Sequence, residues 1–378
     1  MFASDSAPRS RPKNRKHQIV CAARGRIVAA GYRNVSMTQV AGDVGITAGA
    51  LYRHFPSKSM LLVAVIESSF DSVDPMFEGS DSLTTALTKV CSYVAHRRDV
   101  GVLWWRELHH APAELHGELR TRLRRMASGL AEALLKERSD LLASEAEQLA
   151  WGIHAVLVSA SWHSTSIGAT ELAALLHSAS QALAAAEIPS ARSLRRESRF
   201  ELTSKREKVL AQAIGIFGSD GFDIAMSGAA SKVTGANLYS YFPTKDDLAR
   251  AVTERVMHTL WTLLHSVLDN AHSPAQAVCT LVDGYVCLAL DRKILTTLLL
   301  DGPLSMSARD QQQQTELFAE WSALLTAANP EMTVRCAQRA LQTTLGFVHT
   351  AVLVDRVGLC TISREVLVAL TLAVLANA

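Results

Sequence analysis

The chain has 378 residues, 48% of them hydrophobic and 20% charged, with a formal net charge of +2. That length suits two domains of ordinary size, each able to bury a sizeable core, and the near-balanced charge excludes a polycation. Few stretches alternate as strands do, while Ala, Leu, Glu and Arg dominate long periodic segments, so the fold class is read as all-α.

Residues 1–12, polar with two prolines, read as a mobile basic arm. From residue 13 the apolar positions Ile19, Ala22, Ala23, Ile27 and Ala30 fall near helical spacing and predict a first helix ending at Ala30. Between Ser6 and Gly42 lie eight Lys or Arg residues, including Arg11, Lys13, Arg15 and Lys16, and no acidic one. Such a cluster can release counterions from a phosphate backbone; the alternative is a solvated tail. No apolar stretch follows it, so no signal peptide is expected.

Next comes GYRNVSMTQVAGDVGITAGALYRHFPSK, residues 31–58. Ser36 and Met37 open a short helix whose apolar residues Met37, Val40, Ala41 and Val44 share one face, and Gly45 ends it. Thr47 can cap a second short helix, residues 48–54, through its hydroxyl. Two short helices around a tight glycine turn make a helix-turn-helix, which offers its second helix to the DNA major groove.

This stretch resembles the tetracycline-repressor (TetR) family of bacterial regulators. The resemblance rests on Gly31-Tyr32, Ser36, Val40-Ala41, Val44-Gly45-Ile46-Thr47, Gly49, Leu51-Tyr52, His54-Phe55 and Ser57-Lys58, in that family's order and spacing. It implies that Ser36, Tyr52, His54 and Lys58 meet phosphate. Thr47, Ala48 and Ala50 begin the recognition helix and are expected at base edges, the alanine methyls suiting thymine methyls. Gly49 permits close backbone approach, and Arg53 is placed at base or phosphate. In the arm, Arg11, Lys13, Arg15 and Lys16 are candidates for phosphate or minor-groove contact.

Residues 13–58 thus form a first helix-turn-helix domain and 59–186 a first helical ligand-binding and dimerisation domain. The latter concentrates Trp104, Trp105, His109, Trp151, His154 and Trp162. The resemblance makes this region an effector pocket for a hydrophobic small molecule. For each tryptophan, core packing is the competing reading. Residues 187–204 mix Pro, Ser and Arg without apolar period and read as a linker.

The chain then begins again. Residues 205–245 form a second, degenerate helix-turn-helix domain, in which VTGANLYSYFPTK, residues 233–245, answers residues 46–58 position for position. From Gly31 to Tyr52 the chain advances 21 residues, but from Gly221 to Tyr239 only 18, so the helix over residues 226–232 is shortened or displaced. Thr234, Asn237, Tyr239 and Lys245 are the second set of DNA-contact candidates. Asn237 replaces Ala50 and can pair with adenine N6 and N7; a decayed motif kept as scaffold is the alternative. Residues 246–378 form a second helical domain, with residues 337–355 aligning on 146–164. A tandem duplication follows.

The resemblance implies a single-chain pseudo-dimer of two TetR units reading an asymmetric operator in double-stranded DNA, a repressor released by a lipid-like or sterol-like ligand. Further self-association is left open. RPKNRK ahead of the first motif and VLWWRE after it are similar to actinobacterial double-TetR repressors of mammalian-cell-entry operons, which implies lipid or sterol uptake genes as targets. The alternative is a ligand-sensing or protein-interaction adaptor that has lost DNA binding. No nucleophile–base set, metal-ligand spacing or phosphate loop supports an enzyme, and no cofactor is expected. The six cysteines are scattered and read as reduced thiols in a cytoplasmic protein. The longest apolar run, residues 366–376, is too short to span a membrane.

Overall fold

Short polar side chains fix where the N-terminal helices begin. In the computed structural model, which describes residues 14–77, 82–163, 167–189, 203–220, 238–291 and 307–378, α1 spans Arg15–Ala30 and α2 Met37–Asp43. The Ser36 hydroxyl accepts from Gln39 N while the Gln39 side chain accepts from Ser36 N, a reciprocal cap. Gly45 then takes φ +65°, with Gly45 N donating to Gly42 O and Ile46 N to Ala41 O. That pair of bonds closes the end of α2 in the left-handed turn that glycine adopts without strain. Thr47 caps α3, Ala48–His54, by accepting from Ala50 N, and Ser57 caps α4, Lys58–Phe77, by accepting from Met60 N.

Contacts divide the chain into two units, Met1–Val73 with Glu107–Leu119 and Asp74–Arg106 with Arg120–Ala378. The core of the first is Ile19, Ala23 and Ile27 of α1, Val40 and Ala41 of α2, Leu51 of α3, and Leu62, Val65 and Ile66 of α4, all buried.

The second unit holds α5 (Leu83–His96), α6 (Asp99–Gly101) and most of α7 (Ala113–Glu137). A π-helical turn, Val102–Glu107, follows α6. Next come α8 (Ala143–Ser159) and α9 (Ala169–Ala185), then α10 (Lys205–Asp220), α11 (Leu238–Tyr241) and α12 (Lys245–Asn270). The unit ends with α13 (Pro274–Asp291), α14 (Ala308–Ala328), α15 (Val334–Arg356) and α16 (Arg364–Asn377). Among the described residues every regular element is helical, and no helix is long and apolar enough to cross a membrane.

Helices α8, α9, α15 and α16 form a four-helix bundle, each packing on two neighbours, α8 on α15 and α9 on α16 among them. Leu149 and Ile153 of α8, Leu176 and Leu183 of α9, Phe347 and Val348 of α15, and Leu370 and Val374 of α16 are buried in it. At Gly346 the helices come so close that a Cβ would sit 2.7 Å from Ser159 Cβ and 3.0 Å from Ser159 Cα. A side chain there forces α8 and α15 apart.

Some local contacts recur at aligned positions of the two halves. Lys16 Nζ lies 5.6 Å from the Phe55 ring centre, and the Arg206 guanidinium 5.0 Å from that of Phe242. Phe55 and Phe242 are both buried, as are Leu61 and Leu248. Thr244 caps α12 by accepting from Asp247 N, as Ser57 caps α4. The helix expected over residues 226–232 lies outside the described residues.

Polar groups inside the second unit include three histidines. Tyr285 Oη and His349 Nε2 stand 2.6 Å apart, and His163 Nε2 stands 3.0 Å from Thr343 Oγ1. Burial disfavours the imidazolium and pushes His154 down to about 4, His163 to about 4 and His349 to about 3. In an unfolded chain such rings protonate near pH 6.5. Below that pH the unfolded state binds protons that the folded state refuses, so stability falls until the folded values are reached. The expected slope is up to about 1.4 kcal/mol per pH unit for each ring. Urea unfolding of the second unit between pH 7 and 4.5 checks this, and His349→Gln, which still accepts from Tyr285, is expected to flatten the slope.

Candidate nucleic-acid interface

Helix α3 has one inward anchor and an outward face. Leu51 is 0% exposed, while Tyr52 is 49% exposed and Gly49, Arg53 and His54 stand in solvent beside it. Burying a leucine stabilises by roughly 1.5–3 kcal/mol, enough to fix the rotation of a helix of seven residues. The rotation decides which side chains face outward. Thr47 and Ser36, both exposed, precede α3 and α2, and Ala48 and Ala50 are half-buried at the start of α3. The exposed positions of the two short helices thus include hydroxyls and cations, groups of the kind that contact phosphate.

The flanking cations are each tied to the scaffold. Arg15 Nη1 donates to Val44 O at 3.0 Å, bracing the C-terminal end of α2 from α1. Lys16 lies over Phe55. Lys58 Nζ donates to Arg33 O at 3.2 Å and sits 4.3 Å from the centre of the Tyr32 ring. Partial burial lowers the Lys58 ammonium below its usual value, and the Glu107 carboxylate opposes that shift. Arg11 and Lys13 lie outside the described residues, as do Thr234 and Asn237. Tyr239 falls in α11 and Lys245 at the first position of α12, at the level of the backbone.

Sequence reasoning missed two features here. Arg26 and Asp43 form a bidentate pair between α1 and α2, with Arg26 Nη2 donating to Asp43 Oδ1 at 2.6 Å. The guanidinium holds the Asp43 carboxyl below its usual value. Glu107, only 2% exposed, accepts from Tyr32 N at 3.1 Å, 75 residues away in sequence. His110 stacks on the Tyr32 ring with centres 5.1 Å apart, so Tyr32 is held between His110 and Lys58. The turn joining α1 to α2 is therefore built partly by residues that follow the motif by half a domain. A lone acidic residue within VLWWRE is the one local signal of it.

Of the candidate pocket residues, His109 belongs to the first unit and the others to the second. In the second unit Trp104, Trp105 and Trp151 are buried around His154, with ring centres 5.9, 5.9 and 5.4 Å from the imidazole. His154 Nε2 and Trp105 Nε1 have no hydrogen-bond partner among the described residues. Trp162 lies at the α8–α15 approach beside Gly346. In the first unit, the His109 and His110 rings lie tilted to each other with centres 3.9 Å apart. Two cavities lie elsewhere in the second unit. One, of about 30 Å³, is apolar and lined by Leu281, Tyr285, Trp321 and Leu345. The other is a groove of about 390 Å³ between α14 and α15. No group of three or more metal-ligating side chains occurs among the described residues.

An anchored second helix behind a capped glycine turn has the geometry of a helix-turn-helix. Residues 19–65 match the family described as bacterial regulatory proteins, tetR family. The chain is 34% identical over 73 residues to the HTH-type transcriptional repressor KstR of Rhodococcus jostii (strain RHA1), covering 19% of this chain and 34% of that protein. It is 31% identical over 94 residues to the nucleoid occlusion factor SlmA of Alteromonas mediterranea, covering 24% and 46%. To the transposon Tn10 TetC protein of Escherichia coli it is 30% identical over 87 residues, covering 23% and 44%. The chain thus spans between about a third and a half of the length of these curated relatives. Among solved structures, the transcriptional regulator FadR from Bacillus subtilis in complex with stearoyl-CoA matches at 20% identity and a TM-score of 0.37, over 45% of this chain and 97% of that one. A regulator from Aquifex aeolicus VF5 matches at 18% and 0.36, over 43% and 95%.

Glu107→Ala removes the acceptor of a part-buried N–H and is expected to cost about 1–3 kcal/mol. Glu107→Gln keeps an acceptor and is expected to recover most of it. Thermal unfolding of the two variants against wild type checks the assignment.

Proposed function

We propose that this chain is a TetR-type transcriptional regulator, a repressor released by a hydrophobic, lipid-like or sterol-like molecule, built as a single-chain pseudo-dimer. The observation that carries the reading is helix α3, with Leu51 buried and Gly49, Tyr52 and Arg53 outward, inside the segment that matches the tetR family. Support for the pseudo-dimer comes from the bundle, in which α8 and α9 of the first repeat pair with α15 and α16 of the second. Homodimeric regulators read palindromes because protein symmetry is mirrored in the operator. Two unequal motifs in one chain favour an operator with unequal half-sites. The RPKNRK and VLWWRE segments support genes of lipid or sterol uptake as targets.

In this reading Ser36, Tyr52, His54 and Lys58 hold phosphate, with Arg11, Lys13, Arg15 and Lys16 adding contacts from the arm and α1. Thr47, Ala48, Gly49 and Ala50 face base edges, and Arg53 reaches either. Thr234, Asn237, Tyr239 and Lys245 serve the second half-site. Ligand release requires that the effector bind the DNA-free state more tightly than the bound state. Trp104, Trp105, His109, Trp151, His154 and Trp162 are the first repeat's candidates for lining or shaping its pocket.

Fluorescence anisotropy tests the proposal, using DNA from upstream of the protein's own gene and its neighbours, over a salt series. Wild type is expected to lose affinity steeply as salt rises, with a log–log slope of about −0.9 for each phosphate neutralised. Tyr52→Ala is expected to weaken binding about tenfold or more, and loss with Tyr239→Ala as well marks two working half-sites. Salt-independent or absent binding at all of these promoters favours the adaptor that has lost DNA binding.

A further inference from the structure

We propose that the groove between α14 and α15 binds a small amphiphile with a carboxylate head, held by Arg339 and Arg335, with its apolar end against Phe318, Leu341 and Ile167. At about 390 Å³ the groove is within the usual size of small-molecule sites. Arg339 is only 9% exposed, an unusual setting for a guanidinium. Its Nη1 pairs with Glu171, while Nη2 is buried and has no hydrogen-bond partner among the described residues. A buried charged group with an unused donor is costly unless something completes its shell.

Several observations select a carboxylate. Glu171, half-exposed, already occupies one edge of the guanidinium, and the planar fork suits a second carboxylate at the other. Arg335 lines the same groove and is exposed. Arg98 Nη2 donates to Ile167 O at 2.6 Å, which brings a third guanidinium to that wall. Arg98 and Arg339 both act on His163, which is held in its neutral form chiefly by burial. Phe318 and Leu341 supply apolar surface in the same groove, so its lining offers both cationic and apolar partners.

The aligned position in the first half of the sequence carries no arginine. The alignment of residues 146–164 on 337–355 places Gln148, a neutral residue, opposite Arg339, and Gln148 Nε2 donates instead to Thr361 O at 3.4 Å. Binding to the groove stands by itself; only its effect on operator DNA rests on the proposed function.

Calorimetric titration of the full chain with octanoate, and with octanol as the uncharged control, tests the site. One octanoate per chain is expected, with octanol at least about tenfold weaker. Arg339→Gln is expected to weaken octanoate about tenfold or more, and Glu171→Gln to leave it as tight or tighter. Should Arg339→Gln fail to fold, Ala319→Trp on the exposed rim fills the groove while keeping both arginines, and it is expected to abolish binding. Absence of octanoate binding, equal binding of octanol, or octanoate binding unchanged by Ala319→Trp overturns the proposal. Anisotropy on the same samples separates it from the regulatory reading. Octanoate that binds as described without changing operator affinity leaves the site standing and removes it as the effector pocket, whereas operator release by octanol alone overturns the carboxylate site and leaves regulation intact.

Discussion

Helices α8 and α15 approach until Gly346 meets the backbone of Ser159, and the rest of the second unit is arranged around that approach. Because interiors pack as densely as organic crystals, a contact this close admits little adjustment, and it fixes how α9 and α16 close the bundle. The four helices belong to one chain. Their association is intramolecular, so it does not weaken on dilution as that of separate protomers does.

The two stretches that align in sequence share some local contacts and differ elsewhere. Kept are the buried anchors and the cap residues: Phe55 and Phe242, Leu61 and Leu248, Ser57 and Thr244, and a cation over each phenylalanine. The sequences differ at other aligned positions, with Gln148 opposite Arg339 and Ala50 opposite Asn237. Packing restrains buried positions, whereas exposed ones vary more freely.

The helix-turn-helix was legible in the sequence because its determinants are local. Ser36, Gly45 and Thr47 each act within three or four residues, and the structure places caps and the left-handed turn where those residues predict them. The helical class followed equally from periodicity. What could not be read was everything that depends on distant residues meeting. Glu107 reaches Tyr32 across 75 residues, and Arg339 of α15 meets Glu171 of α9. The tryptophans illustrate the same limit. Composition marks them as unusual, but only packing shows Trp104, Trp105 and Trp151 gathered on the His154 ring.

The Glu107 contact also has a bearing on how the chain is made. The first unit is discontinuous, leaving at Val73 and returning at Glu107. During synthesis the motif emerges from the ribosome well before the residue that accepts from Tyr32 N, so its turn waits on a long loop closure before that bond can form. A fragment cut after α4 carries every residue of the motif and lacks the segment that seals the turn between its first two helices.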